Sequence, residues 1–206
     1  LPDDIPAWRL LEETARKLAE LRGYREIRPA LLEEVELFTR SVGEVTDIVQ
    51  KEMSTLQKGD SELALRPEGT AGIVRAYLEA GYANSAPVHR LFHIGPMFRY
   101  ERPQKGRERM FTQFDVEALG SLDPRFDAEV VHLGASFFET LGITGLEVRV
   151  NSMGDGGDRD EPRAHRGALV EYFERHATTL DDDARRRLHA NPLRILDSKN
   201  PPMQEI

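Results

Sequence analysis

Two apolar-patterned stretches, Val88–Tyr100 and Met110–Leu119, flank the nine polar residues ERPQKGRER, and this pairing restricts the fold more than any other feature. Each stretch is long enough for a full β-strand, and the glycine near the middle of the polar segment lets the chain reverse. The spacing therefore predicts an antiparallel hairpin with a long charged tip. Along Met110–Leu119 the side chains alternate. Met110, Phe114, Val116 and Ala118 fall on one face, and Phe111, Gln113, Asp115 and Glu117 on the other. A strand with one face in water shows the same alternation, so this pattern alone leaves open whether the polar face is a binding site.

The tip argues for a ligand. From Arg99 to Arg109 five cations stand against Glu101 and Glu108, a local charge of +3 in a chain whose net charge is −8. Cations gathered inside an acidic protein point to a bound polyanion, and arginine's planar fork suits phosphate oxygens. Gln113 and Glu117 lie roughly 13 Å apart at ~3.3 Å per residue, a span that could bracket a small zwitterion. A phosphate grip and a carboxylate pocket on one hairpin suggest chemistry that joins a nucleotide to a small ampholyte.

The remainder reads as α+β. An amphipathic helix is expected over residues 4–22 on the spacing of Trp8, Leu11, Ala15 and Leu18. Tyr24–Leu32 is an extended segment broken by Pro29, and Glu33–Phe38 a short helix leading into a polar loop through Gly43. Ser61–Arg66 is a strand ending at Pro67, and Thr70 caps a helix that stops at Gly81. A helix follows over Ser121–Gly142 with Pro124 in its first turn, then an alternating strand at Leu146, Val148 and Val150. Gly154, Gly156 and Gly157 mark a loop, and two polar helices follow over Glu161–Thr178 and Asp182–Ala190. A domain boundary is expected near 151–160, giving domains of 1–153 and 154–206. The opening Leu1-Pro2-Asp3-Asp4 and the closing Pro201–Ile206 both read as cuts in a longer protein.

The chain has no cysteine, so disulfides and thiolate zinc sites are excluded, and its composition suits a reducing cytoplasm. No apolar run approaches the ~20 residues of a membrane span. The six histidines show no metal-ligand spacing, and His89, His93 and His132 read as structural.

The segment Ile94–Gly120, IGPMFRYERPQKGRERMFTQFDVEALG, is similar to motif 2 of class II aminoacyl-tRNA synthetases, and its RPQKGR tip with QFDVEALG resembles the histidyl-tRNA synthetase form. Leu63–Gly81 resembles that family's histidine-binding strand and helix, and Gly23–Glu34 its motif 1, with Pro29 as the motif proline. Val42–Met53 and Asn191–Pro201 extend the resemblance over almost the whole chain, in family order. The implied fold is a class II antiparallel sheet flanked by helices, incomplete at its C-terminal side. The 154–206 segment would then begin a helical insertion that approaches the tRNA acceptor stem. Motif 3, a second histidine-specific segment and the anticodon-binding domain are not in this sequence.

The resemblance implies ATP-dependent activation of L-histidine and its transfer to tRNA(His). Arg99 would be the catalytic arginine, on the α-phosphate and the substrate carboxylate. Glu101 would hold the adenine end or the hairpin geometry, and Arg107 would reach the outer phosphates. Glu68, Gly69, Thr70, Arg99 and Gln113 would bind histidine, and Glu117 would accept from its imidazole. The resemblance further implies Mg²⁺ travelling with ATP, no resident metal and a homodimer built through motif 1. Two alternatives stand beside it: a histidine-sensing regulatory paralogue that does not aminoacylate, and an inactive dimerisation fragment. Arg66 and Glu101 could also be a plain structural ion pair.

Overall fold

The structure is a computed structural model and describes residues 1–206 except 43–45, 47, 86, 103, 151–160, 190, 191, 197, 199, 205 and 206. The glycine-rich loop at 154–157 and part of the polar loop through Gly43 lie outside the described residues. The chain divides into two compact units, Leu1–Val148 and Arg149–Ile206.

The first unit is α+β. Its helices are α1 (Ile5–Leu21), α2 (Val35–Val42), α3 (Thr70–Glu79) and α4 (Pro124–Thr140). Its strands are β1 (Arg25–Glu26), β2 (Leu32–Glu34), β3 (Ser54–Lys58), β4 (Ser61–Leu65), β5 (His89–Phe98) and β6 (Met110–Leu119). They form two three-stranded sheets, ordered β1-β5-β6 and β2-β4-β3. Every pairing is antiparallel except that of the two-residue β1 with β5. Pro29 splits the extended segment more sharply than expected, sending β1 into one sheet and β2 into the other. The edge of β6 away from β5 carries no strand among the described residues.

The predicted hairpin is present, with β5 and β6 paired from His89↔Leu119 to Phe98↔Met110. Its even-numbered β6 face packs inward: Phe114, Val116, Phe92 and Ile94 meet Ala19 of α1, Tyr24, and Val130 and Leu133 of α4. Small residues at Ala15 and Ala19 let α1 approach closely. Farther toward its N-terminus the same stripe is uncovered, with Ile5, Trp8 and Leu11 exposed. The opposite face of the hairpin is covered at one end by α3, whose Ile73 and Tyr77 pack with Leu91, Ile27, Tyr82 and Leu119. β5 and β6 are thus held between α1 and α4 on one side and α3 on the other, with the N-terminus of α3 reaching over their polar stretch.

Several sequence expectations are corrected. Leu146, Val148 and Val150 do not form a strand. Their side chains are exposed, and alternation cannot hold an extended segment that finds no ladder partner among the described residues. Thr70 does not cap α3 through its side chain; it is the first helical residue, and Glu68 serves its free amides instead. Helix α4 starts at Pro124 because Asp123 accepts from Arg125 N at 3.0 Å and fixes the cap there.

The second unit contains α5 (Glu161–Arg175), α6 (Asp182–Arg187) and two single turns, α7 (Leu193–Leu196) and α8 (Pro201–Gln204). Its core gathers Phe173, Leu180, Ala184, Leu188, Ile195 and Met203. Asp181 caps α6 by accepting from Ala184 N and also accepts from Asn200, which ties α6 to the segment before α8. Those contacts hold its carboxyl below the usual range.

Candidate functional site

Cross-strand register assembles the site. Leu91 faces Glu117, His93 faces Asp115 and Gly95 faces Gln113, so a single face of the hairpin carries all these side chains. Above that face Pro67 follows β4, and the chain runs through Glu68 and Gly69 into α3. The Glu68 carboxylate accepts from Thr70 N at 2.7 Å and from Ala71 N at 2.9 Å, satisfying two otherwise free amides at the start of the helix. The Thr70 hydroxyl donates to Glu117 Oε1 at 2.6 Å, which locks the helix terminus to β6.

The same face holds unspent hydrogen-bonding capacity. Four buried side-chain polar atoms among the described residues lack a partner, and His93 Nε2, Gln113 Oε1 and Asp115 Oδ2 are three of them. Each such atom costs ~1–3 kcal/mol when left unpaired. Three clustered on one face mark a surface built to be completed by a polar molecule. His93 Nδ1 lies 2.9 Å from the Ile27 carbonyl. A carbonyl can only accept, so this nitrogen donates and leaves Nε2 as a bare acceptor. Burial, aided by nearby Arg66, holds the His93 pKa below its ordinary value and keeps the ring neutral.

Two glycines make this packing feasible. A Cβ on Gly69 would stand 2.2 Å from Asp115 Oδ2. One on Gly95 would stand 2.6 Å from His93 Nε2 and 2.7 Å from Arg66 Nη2. Arg66 is only 3% exposed and joins three segments. Its Nε donates to Pro96 O at 2.9 Å and its Nη1 to Pro29 O at 3.1 Å, while its own carbonyl accepts from Phe98 N. The suggested Arg66–Glu101 ion pair does not form; Glu101 pairs with Arg107 instead.

Electrostatics sharpen the polar face. Burial, then the carboxylates of Glu117 and Glu68, push Asp115 up to about 7, with Arg66 opposing. Glu117 is also raised, by burial and by Glu68, although the Thr70 hydroxyl pulls the other way. The polar face is therefore rich in carboxyl groups, with Arg66 the one cation acting on Asp115, an environment that attracts a further cation.

Arg99 stands where the face meets the tip. Its Nε donates to Pro67 O at 2.8 Å and its guanidinium lies 5.0 Å from the Phe111 ring centre, which fix its direction. Beyond it the tip is exposed. Arg107 Nη1 donates to Glu101 at 3.0 Å, and Arg109 stacks 4.1 Å from the Tyr100 ring centre. Glu68, Gly69, Thr70, Gln113 and Glu117 are thus gathered at one place with Arg99 at its border, while the hydrogen bonds of Glu101 and Arg107 stay within the tip. Arg66 and His93 are neighbours of the site that the sequence reading left out. For His93 parity with Gly95 on β5 is a partial signal, which becomes decisive only with the register of β5 against β6; Arg66, outside the hairpin, has none.

Comparison with known proteins places this arrangement in context. The family model described as histidyl-tRNA synthetase matches residues 1–154. A histidine–tRNA ligase of Dechloromonas aromatica is 50% identical over 208 residues, covering 100% of this chain and 48% of the relative. One from Thermosynechococcus vestitus is 50% identical over 207 residues, with 100% and 48% covered. The crystal structure of apo S. aureus histidyl-tRNA synthetase superposes with a TM-score of 0.72 at 35% identity, covering 100% of this chain and 47% of that one. The chain spans about half the length of the curated relatives it matches.

Proposed function

The chain belongs to the histidyl-tRNA synthetase family, and we propose that it is the part of a histidine–tRNA ligase that binds histidine and grips ATP. The observation that carries this reading is the buried polar face, on which Gln113 and Asp115 hold unpaired acceptors beside Glu68 and Glu117. A histidine fits its chemistry. The α-ammonium meets Glu68, Thr70 and Gln113 beside the tight Gly69 turn, and an imidazole N–H donates to Glu117. A polar pocket of this kind rejects analogues that lack the matching donor.

Arg99 then lies between amino acid and nucleotide. The histidine carboxylate attacks the α-phosphorus of ATP, the bond to pyrophosphate breaks, and histidyl-adenylate forms. Arg99 stabilises the charge that builds up on the phosphoryl oxygens in the transition state. Arg107, itself exposed, exchanges its half-buried partner Glu101 for the outer phosphates, a small cost because pairs reached by solvent are worth ~0–1 kcal/mol. Mg²⁺ arrives as the counter-ion of ATP. Among the described residues no group of three His, Asp or Glu is arranged to hold a metal, and no helix is long and apolar enough to cross a membrane. On the resemblance, residues 154–206 begin a helical insertion near the tRNA acceptor stem, and the transfer of histidine to tRNA(His) requires parts beyond this chain. A homodimer through the Pro29 region is part of the same reading, supported by the uncovered apolar residues of α1.

ATP–pyrophosphate exchange tests the proposal in the natural protein that contains this chain. Histidine-dependent exchange that disappears in Arg99→Ala supports it. Histidine binding without exchange selects the sensing paralogue, and exchange driven equally by other amino acids overturns the assignment of the pocket.

A further inference from the structure

The three carboxylates of the polar face are not equivalently supported. Glu68 is served by two backbone amides at the start of α3, and Glu117 by the Thr70 hydroxyl. Asp115 receives no hydrogen bond on Oδ2, which is closed in beneath Gly69. The groups that face it are Glu117 on its own strand, Glu68 from the segment above, Arg66 at the end of β4 and His93 across the ladder on β5. Arg66 is the one cation among them, and its Nε and Nη1 are directed at the carbonyls of Pro96 and Pro29. His93 is held neutral by burial and by Arg66.

We propose that Asp115 is a proton-exchanging binding residue of this pocket: it holds a proton while the pocket is empty and releases it to solvent when the ammonium group of an amino acid settles beside Glu68 and Gln113, next to Gly69. This rests on the histidine-binding reading given above. The empty face cannot easily carry three negative charges against one laterally engaged guanidinium. One carboxyl must stay neutral, and the one without a hydrogen-bond donor is the one that does. An arriving ammonium supplies the missing positive charge and turns the ionised form of Asp115 from a cost into an attraction. Proton and ammonium therefore compete for the same site. Capture of histidine becomes weaker as the pH falls, beyond whatever its own imidazole contributes. Burial of the neutral acid explains how an unpaired Oδ2 persists in the folded chain.

Calorimetry of L-histidine binding to the natural protein that contains this chain, run at pH 6 and pH 8.5 in buffers of different ionisation enthalpy, tests the coupling. The wild type should release about one proton more per histidine than Asp115→Asn at pH 6, and the difference should vanish at pH 8.5. The imidazole of the ligand contributes to both proteins alike and cancels in that comparison. A ¹³C-labelled Asp115 carboxyl followed by NMR gives the same answer without any substitution. Its titration should move to lower pH once histidine is bound. Equal proton release by wild type and variant, or a carboxyl already ionised at pH 6 in the free protein, overturns the inference and leaves the ligase reading standing. Failure of the wild type to bind histidine at either pH overturns both.

Discussion

At the base of the β5–β6 hairpin, His93, Gln113 and Asp115 each bury a polar atom with no partner. At the tip, Arg102, Lys105, Arg107 and Arg109 all stand in solvent, and Arg107 is engaged by Glu101. The base spends folding energy to hold a fixed arrangement of acceptors, locked by Thr70–Glu117 above and Arg66 behind. The tip holds its charge at almost no cost, because exposed cations remain hydrated and their pairs exchange easily. A small ligand that must be told apart from close analogues calls for the first design. A flexible polyphosphate, which is recognised mainly by charge, needs only the second.

Substitutions can break this contrast, beginning where the two regions meet. Arg99→Ala should lower histidine-dependent ATP–pyrophosphate exchange by roughly 10³-fold. Its melting temperature should change little, since the side chain makes one hydrogen bond, to Pro67 O. An equal loss of stability would mean that Arg99 belongs to the base's architecture. Glu117→Ala should weaken histidine binding by ~100-fold while ATP affinity holds, measured by titration of each ligand separately. Gly69→Ala should cost ~1–3 kcal/mol in denaturant unfolding, because the new Cβ collides with Asp115. Adding Asp115→Gly to it should restore most of that loss, which a general defect of the α3 terminus would not permit.

The last two effects are smaller. Asp115 keeps its proton to about pH 7 when folded but loses it near 3.8 when unfolded. The folded state therefore binds more protons between those values, and stability falls as the pH rises through that window. Asp115→Asn should remove this slope, raising the melting temperature by a few degrees at pH 8 and hardly at all at pH 4. Glu117 should leave a residual slope of the same sign, being raised as well. Arg107→Ala should raise the KM for ATP only about fivefold, an effect worth ~1 kcal/mol. Histidine binding should be unaffected, and a larger effect on histidine than on ATP would erase the distinction between base and tip.

The hairpin was the most legible element because its two long strands carry period-two alternation, and β6 spans Met110–Leu119 as expected. β3 escaped notice since Thr55–Lys58 are all exposed, so burial stamped no pattern on them. Leu146–Val150 failed in the opposite sense, having the pattern without a partner strand among the described residues. Among the candidate site residues, Gln113 and Glu117 announce themselves by parity. Arg66 and His93 do not, because their place beside Gly95 depends on a cross-strand register and on a chain crossing between two sheets. The unequal support of three carboxylates is likewise invisible in a string of letters.

β6 also has a side that faces no strand among the described residues. There its outer edge presents a row of backbone amides and carbonyls along ten residues with no described ladder beyond it. Such an edge is a template for whatever extended chain comes near, including the β6 of another molecule. Handled at high concentration, this 206-residue chain should therefore self-associate edge to edge, and light scattering should rise with concentration well before unfolding begins. A charged residue introduced at Thr112, an exposed position on β6, is the simplest way to keep it in solution.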